Sequence, residues 1–382
     1  MKVSIDSKLP DDVTSIFAVM AKVCADANAI NLGQGFPNFD CSDVLKEKIE
    51  HYLRAGKNQY CAMPGLYELR KVLADKANLA YGSDVNPNTE ITITAGATQA
   101  ISNIITSFVK PQDEVIIIEP AYDCYKPSIE ICGGTVVPYV LKAPEFLVDW
   151  DAFKELISER TKLIVINTPH NPIGKTFKQH DMKALQDIVA DKNIIVLSDE
   201  VYEHLVYDKQ VHQSVLRFPK LYEQCVAVYS FGKTFHSTGW KLGYAIAPEY
   251  ITKEIRKVHQ WNVFSVNSFL QYALADYMQD PEPYLGLGDF YQQKRDFFNL
   301  VMQDCRLKPI SCEGTYFQLF DYSELSQERD LDMAKRLARE YGVASIPVSP
   351  FYGDRSDGKV LRFCFAKTEN VLSQAAEKLS KL

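Results

Sequence analysis

Tyr229-Ser230-Phe231-Gly232-Lys233-Thr234-Phe235-His236-Ser237-Thr238-Gly239-Trp240-Lys241-Leu242-Gly243-Tyr244 places one lysine, Lys233, in a turn between two apolar runs. The run 226–229 predicts a buried strand that ends at Ser230, and the run 244–247 predicts a second. A lysine held between buried strands sits in low dielectric, which favours its neutral amine. A neutral amine attacks carbonyl carbons and forms Schiff bases. Three other readings compete. Ser230-Phe-Gly-Lys233 fits the S-x-x-K pattern, but no S-D-N or K-T-G follows. Gly232-Lys233-Thr234 resembles the tail of a phosphate loop, but Ala227 stands where the first glycine is required. The third is a surface turn with a solvated lysine. This stretch leaves that third reading level with the Schiff-base reading.

The flanking chain gives the architecture. From Glu90 onward, short apolar runs alternate with helical patterns. Strands are expected at 91–94, 115–118, 135–140, 163–166 and 194–197, with a helix opening at Gly96-Ala97-Thr98 and running to 109. This rhythm predicts an α/β fold with a mostly parallel sheet covered on both faces. Functional groups then belong at the carboxyl ends of the strands. Upstream, Pro10-Asp11-Asp12 predicts a helix start, and Ile16, Phe17, Met20 and Val23 share one helical face. Gly33 and Gly35 do not complete G-x-G-x-x-G, because Asn38 occupies the last place. They fit a tight turn or close approach of a ligand to bare backbone. Ser42 is expected to cap a helix that stops at Gly56, and another helix is expected over 65–81. Beyond 278 the pattern predicts a long helix over 283–304, a strand at 315–320, a helix at 331–341, strands at 343–346 and 360–365, and a closing helix from 369. That is a smaller α+β unit.

Bulk properties exclude several classes. The 382 residues are 46% hydrophobic with a net charge of −7. The balance argues against nucleic acid and against an acidic membrane surface. Nine dispersed cysteines without a C-x-x-C pair read as reduced thiols in a cytoplasmic protein. No secretory h-region is visible at the start, and no apolar run approaches the length of a membrane span. The seven histidines show no metal-ligand spacing, so no metal site is expected.

The strand ends supply the chemistry. Gly96-Ala97-Thr98 follows a strand and opens a helix, where backbone N–H groups and the helix dipole favour an anion. Asn167-Thr168-Pro169-His170-Asn171-Pro172-Ile173-Gly174 follows another strand, and one of its two X-Pro bonds is a candidate for the cis form. Asn171 is either a turn residue or an amide donor to a ligand oxygen. Ser198-Asp199-Glu200-Val201-Tyr202 ends the strand from Ile194. A carboxylate buried there needs a partner, either a protonated ring nitrogen or the N–H groups of the next helix. An anion cradle, a buried carboxylate, a phenol, an amide and a lysine together answer the demands of pyridoxal 5'-phosphate.

With these motifs the sequence resembles the class I/II aminotransferases of PLP fold type I, over about residues 17–362. The lysine stretch, the Asn167–Gly174 stretch and Asp199-Glu-Val-Tyr202 carry the likeness. Asn31-Leu-Gly-Gln-Gly-Phe-Pro37 and Asn58-Gln-Tyr60 point to the methionine and kynurenine (glutamine-type) branch. The resemblance implies a seven-stranded large domain over 41–282. A small domain is formed by 283–382 with the N-terminal arm 1–40. It implies that Lys233 carries the cofactor as a Schiff base, that Asp199 holds the pyridinium proton, and that Asn171 and Tyr202 bind the ring oxygen. Tyr122 stacks on the ring. Gly96, Ala97, Thr98, Ser230 and Lys241 surround the phosphate, with Tyr60 arriving from a second subunit of a homodimer. Lysine at 241 brings charge without the planar fork of arginine. Arg362 grips the substrate carboxylate, a task its two-pronged guanidinium suits. Read from its apolar strand alone, Arg362 is equally an edge residue with a solvated head.

The implied reaction is transamination between an L-amino acid and a 2-oxo acid, with Lys233 moving the Cα proton. Phe17, Gly35, Tyr122 and the neighbouring subunit's Phe264 are implied to line an apolar side-chain pocket. A dicarboxylate enzyme needs a second arginine from the partner, and 259–268 contains none. A neutral, sulfur-containing or aromatic substrate is therefore expected. A carbon–sulfur β-lyase on the same scaffold would show the same cofactor motifs. A DNA-binding regulator built on this scaffold would need an appendage that the sequence does not show.

Overall fold

In the computed structural model, the strands of the expected sheet bury both of their faces, except the edge strand Thr135–Val140, which stays partly exposed. The structure describes Val3, residues 7–9 and residues 14–382. In chain order the strands are β1 (Ile91–Thr94), β2 (Glu114–Glu119), β3 (Thr135–Val140), β4 (Thr161–Asn167), β5 (Ile195–Asp199), β6 (Cys225–Ser230) and β7 (Gly243–Ile246). They form one seven-stranded sheet in the order β1-β7-β6-β5-β4-β2-β3, a mixed α/β architecture. Only β7 opposes the others, pairing antiparallel with β1 and β6.

Strand parity explains the two-sided burial. Val115, Ile117, Leu163, Val165, Val226 and Val228 pack into one core with Ile101, Ile104 and Ile105 of the helix Ala97–Phe108. Ile116, Ile118, Ile164, Ile166, Ala227 and Tyr229 point the other way, into the core shared with the helices Tyr67–Tyr81 and Gln179–Val189. Side chains alternate across a strand, so a run apolar at every position needs a cover on each side.

The remaining chain builds two smaller sheets. Lys308–Pro309, Phe317–Asp321, Val360–Cys364 and Ile346–Pro347 form a four-stranded antiparallel sheet. Ile30–Asn31 pairs in parallel with Val343–Ala344 and ties the N-terminal segment to the C-terminal part.

Several expectations need correction. The expected strand 343–346 is two short strands in two different sheets, broken at Ser345. The expected long helix is Glu282–Leu285 followed by Leu287–Val301, interrupted at Gly286. The expected helix over 65–81 begins at Tyr67, because Gly65 sits at φ 104°. Ser42 precedes the helix Asp43–Arg54 as expected, but its side chain makes no capping bond. The helix start expected at Pro10-Asp11-Asp12 lies outside the described residues. The described helix Ile16–Asp26 is capped by Ser15, whose Oγ accepts from Phe17 N at 3.3 Å. Both X-Pro bonds of the Asn167–Gly174 loop are cis, where one was expected.

A buried ionic cluster braces the segment after β5. Lys76 and Tyr81, from the helix Tyr67–Tyr81, both donate to the Glu203 carboxylate. Burial pushes that carboxyl up, but the neighbouring Lys76 ammonium and His204 outweigh it and hold it below the usual carboxylate range. Glu200 accepts from Ser198 Oγ at 2.9 Å, Val215 N at 3.0 Å, Tyr229 Oη at 3.0 Å and pairs with His212 Nε2 at 2.9 Å. Removing one partner of a buried pair leaves an uncompensated charge. Lys76→Met is expected to destabilise the protein by about 3–5 kcal/mol, measured by urea unfolding. The double variant Lys76→Met/Glu203→Gln is expected to recover part of that loss.

Candidate active site

The antiparallel strand β7 decides where the lysine sits. Gly243, its first residue, pairs with Ser230 at the end of β6 and with Thr94 at the end of β1. The lysine turn and the Gly96 turn are therefore neighbours across one glycine. A Cβ at Gly243 would stand 2.7 Å from Tyr229 O, 2.8 Å from Ala97 N and 2.9 Å from Gly96 C. No side chain fits there.

Lys233 lies in a single helical turn, Phe231–Thr234, that directly follows β6. Gly232 is tight for the same reason as Gly243, since its Cβ would meet Thr238 Cα at 2.8 Å. Burial pushes the Lys233 ammonium down to about 8, opposed by Cys364 and Asp199 and assisted by Arg362 and Lys241. Its Nζ donates to Tyr316 Oη at 2.9 Å and to Gly35 O at 3.4 Å. The apolar surroundings thus leave a minor but substantial fraction of the amine neutral near physiological pH.

The carboxylate comes from β5. Asn167 and Asp199 are register partners at the ends of β4 and β5. Asn167 Nδ2 donates to Asp199 O at 2.8 Å, and Asn167 Oδ1 accepts from Asn171 N at 2.7 Å. Asp199 Oδ2 accepts from Tyr125 Oη at 2.6 Å, and Oδ1 accepts from Val201 N at 3.3 Å. Burial still pushes its carboxyl up to about 6, against the pull of the Tyr125 bond. A cation facing it would restore full ionisation.

Gly96, Ala97, Thr98, Tyr122, Asn171, Asp199, Tyr202, Ser230, Lys233 and Lys241 line one pocket. At its floor Gly96 holds φ 87° and the helix Ala97–Phe108 begins without a side-chain cap. Lys241, itself left-handed at φ 54°, brings Nζ to 3.5 Å from the position of a Cβ on Gly96. Free N–H groups at a helix start beside an ammonium form an anion site.

Arg362 enters from the small sheet. It is not an edge residue: its strand is central, pairing with Leu319 on one side and Ile346 on the other. The side chain is 1% exposed. Nη1 donates to Asn171 Oδ1 at 2.7 Å and Nη2 to Gly33 O at 3.1 Å, while Nε is buried without a partner. Phe317, Phe17 and Phe351 rings flank the guanidinium at 3.9, 5.3 and 5.6 Å. Occupation of Asn171 Oδ1 leaves that amide's NH₂ as its donor.

Two expected site residues stand apart. Tyr60 is 81% exposed and meets Phe264 edge-on at 5.4 Å, on the surface and away from the pocket of their own chain. Tyr125, Phe351 and Tyr316 were not singled out from sequence. Tyr125 carries a usable signal, since it stands three residues after Tyr122, across the turn that opens the helix Tyr125–Ile131. Tyr316 and Phe351 lie in ordinary apolar stretches, and only the fold brings them to the lysine and the arginine.

The residues present fit pyridoxal phosphate. They combine an anion cradle closed to any side chain at Gly243, an amine that burial leaves partly neutral, a buried carboxylate suited to a cation, and a guanidinium with an unpaired N–H.

Comparison with known proteins agrees with this geometry. The sequence model of the family "Aminotransferase class I and II" matches residues 27–379. The chain is 48% identical to methionine aminotransferase of Escherichia coli K12, over 98% of each chain. It is 33% identical to kynurenine–oxoglutarate transaminase of Dictyostelium discoideum, over 96% of this chain and 94% of that one. The crystal structure of YbdL from Escherichia coli, for which a methionine aminotransferase function is identified, superimposes with a TM-score of 0.98 at 47% identity, covering 100% of both chains. The match spans the pocket and both sheets that build it, and the chain belongs to the class I and II aminotransferases, enzymes that depend on pyridoxal phosphate.

Proposed function

We propose that this aminotransferase takes a neutral, methionine-like L-amino acid as donor and passes its amino group to a 2-oxo acid. The observation that carries the reading is the Arg362 site. One guanidinium, with an unpaired Nε, stands among Phe17, Phe317 and Phe351. It suits one carboxylate, and the rings around it suit an apolar side chain. The name of the Escherichia coli relative supports the same substrate.

The chain's own residues take the following roles. Lys233 would hold pyridoxal phosphate covalently, and Gly96, Ala97, Thr98, Ser230 and Lys241 would hold its phosphate. Tyr122 would cover its ring, and Asn171 and Tyr202 would donate to the ring oxygen. When bound, the cofactor supplies an electron sink for the substrate carbon that loses its proton. Asp199 holds a proton on the ring nitrogen, and the Tyr125 hydroxyl keeps that carboxylate in place. Arg362 orients the substrate so that its Cα hydrogen faces Lys233. The Lys233 amine, its proton affinity lowered by burial, removes that proton.

The division proposed for the chain is a large domain over 41–282 and a small domain over 283–382, to which the N-terminal arm 1–40 contributes; the pairing of Ile30–Asn31 with Val343–Ala344 supports that last part. The exposed Tyr60 and Phe264, beside Trp261 at 85% exposure, are proposed to reach the second active site of a homodimer. Nine unpaired cysteines support action in the cytoplasm.

Turnover of a panel of amino acids with several 2-oxo acids tests the substrate. Methionine and other neutral donors are expected to lead aspartate and glutamate. Ammonia released without any 2-oxo acid would instead indicate a lyase. Lys233→Ala is expected to lower turnover by about 10²–10⁴-fold, with partial rescue by small added amines. Borohydride trapping of the holoenzyme should label Lys233, and a label elsewhere would overturn the assignment. In the ligand-free protein, cyanate should modify Lys233 with a midpoint near pH 8, where burial places its amine, and well below the 10.5 of a free lysine. Below that pH the amine is protonated and inert; above it, neutral and reactive.

A further inference from the structure

Tyr316 belongs to none of the roles above, yet its hydroxyl touches the lysine. It precedes the strand Phe317–Asp321 and is fully buried. Its Oη donates to Gly35 O at 2.7 Å and stands 2.9 Å from Lys233 Nζ. Nζ also reaches Gly35 O at 3.4 Å. Both partners are fixed. Phe365 N donates to Tyr316 O at 3.0 Å, and the Tyr316 ring packs edge-on against Tyr202 at 5.2 Å. Gly35 is pressed onto Phe317, whose Cζ would lie 2.6 Å from a Cβ there.

The shorter contact, 2.7 Å to Gly35 O, assigns the Tyr316 proton, and the same hydroxyl also shares a hydrogen bond with Tyr202. A phenol has a single proton, and here it points to Gly35 O. With its proton there, its oxygen accepts from Lys233 Nζ. A neutral amine has two N–H bonds and one lone pair. Both N–H bonds end on oxygens, Tyr316 Oη and Gly35 O, so the lone pair is what remains free.

We propose that Tyr316 is a positioning residue: its hydroxyl parks the released Lys233 amine with its N–H bonds tied and its lone pair free to take the substrate Cα proton. The inference rests on Lys233 being the reacting amine. The charged and titratable groups around Nζ are Cys364, Arg362, Asp199 and Lys241, with the Tyr202 ring centred 5.6 Å away.

Tyr316→Phe removes only the hydroxyl. With the holoenzyme, kcat should fall about 10–100-fold, as a misplaced reacting group does, while KM stays within about twofold. The primary isotope effect with Cα-deuterated amino acid should rise, because proton transfer becomes more rate-limiting. In the ligand-free protein, the cyanate midpoint of Lys233, read by peptide mass spectrometry, should move to lower pH. An ammonium donates more strongly than an amine, so it loses more when the acceptor goes. Tyr316→Met, which also lacks the hydroxyl, serves if Tyr316→Phe does not fold. A folded variant with unchanged kcat, isotope effect and labelling midpoint overturns the proposal. Trapping of a residue other than Lys233 in the wild type overturns the parent assignment instead, so the two failures are distinct.

Discussion

The pairing of Asn167 with Asp199 at the ends of β4 and β5 fixes the geometry on which the site depends. Thr168 N and Asn167 Nδ2 both donate to Asp199 O, at 3.1 and 2.8 Å, and Asn167 Oδ1 holds Asn171 N. Carboxylate, amide and the following phenol thus descend from one strand register. A slip of one residue would turn Asp199 to the opposite face of the sheet. β7 adds a second constraint of the same kind, because Gly243 joins the lysine turn to the helix start at Gly96.

The cost of burying charge shapes everything built on that frame. Asp199, Lys233, Arg362, Glu203 and Lys76 all sit inside or at the edge of low-dielectric surroundings. Lys76 and Glu203 satisfy each other, and their role is to hold the segment that carries Tyr202. The groups facing the pocket are left incompletely satisfied. Asp199 has one phenol and one weak N–H, Lys233 has a phenol and a carbonyl, and Arg362 keeps an unpaired Nε. Buried polar groups are normally paired, so the unpaired Arg362 N–H is a place where a ligand can supply the missing partner.

Arg362 joins the two parts of the molecule. It comes from the small antiparallel sheet, yet it bonds to Asn171 beyond the large sheet and to Gly33 of the N-terminal segment. Tyr316 and Gly35 meet at Lys233 in the same way. The reacting centre therefore exists only when three separated segments are assembled.

The large sheet was legible in the sequence because its strands are apolar at nearly every position, a pattern that only a two-sided cover satisfies. Lys233, Asp199, Asn171 and the Gly96 turn were legible because each follows such a strand directly, and strand ends in a parallel sheet gather on one edge. Arg362 could be named but not placed, since a lone arginine on an apolar strand reads equally as an edge residue until its neighbours are known. Tyr316 was not legible at all, and Tyr125 only through its spacing from Tyr122: a buried tyrosine looks the same in sequence whether its hydroxyl is structural or touches a reacting group. The split of 343–346 between two sheets, the break at Gly286 and the surface position of Tyr60 depend on contacts between distant segments. Local periodicity determines which residues are buried, and long-range packing decides what each buried polar atom meets.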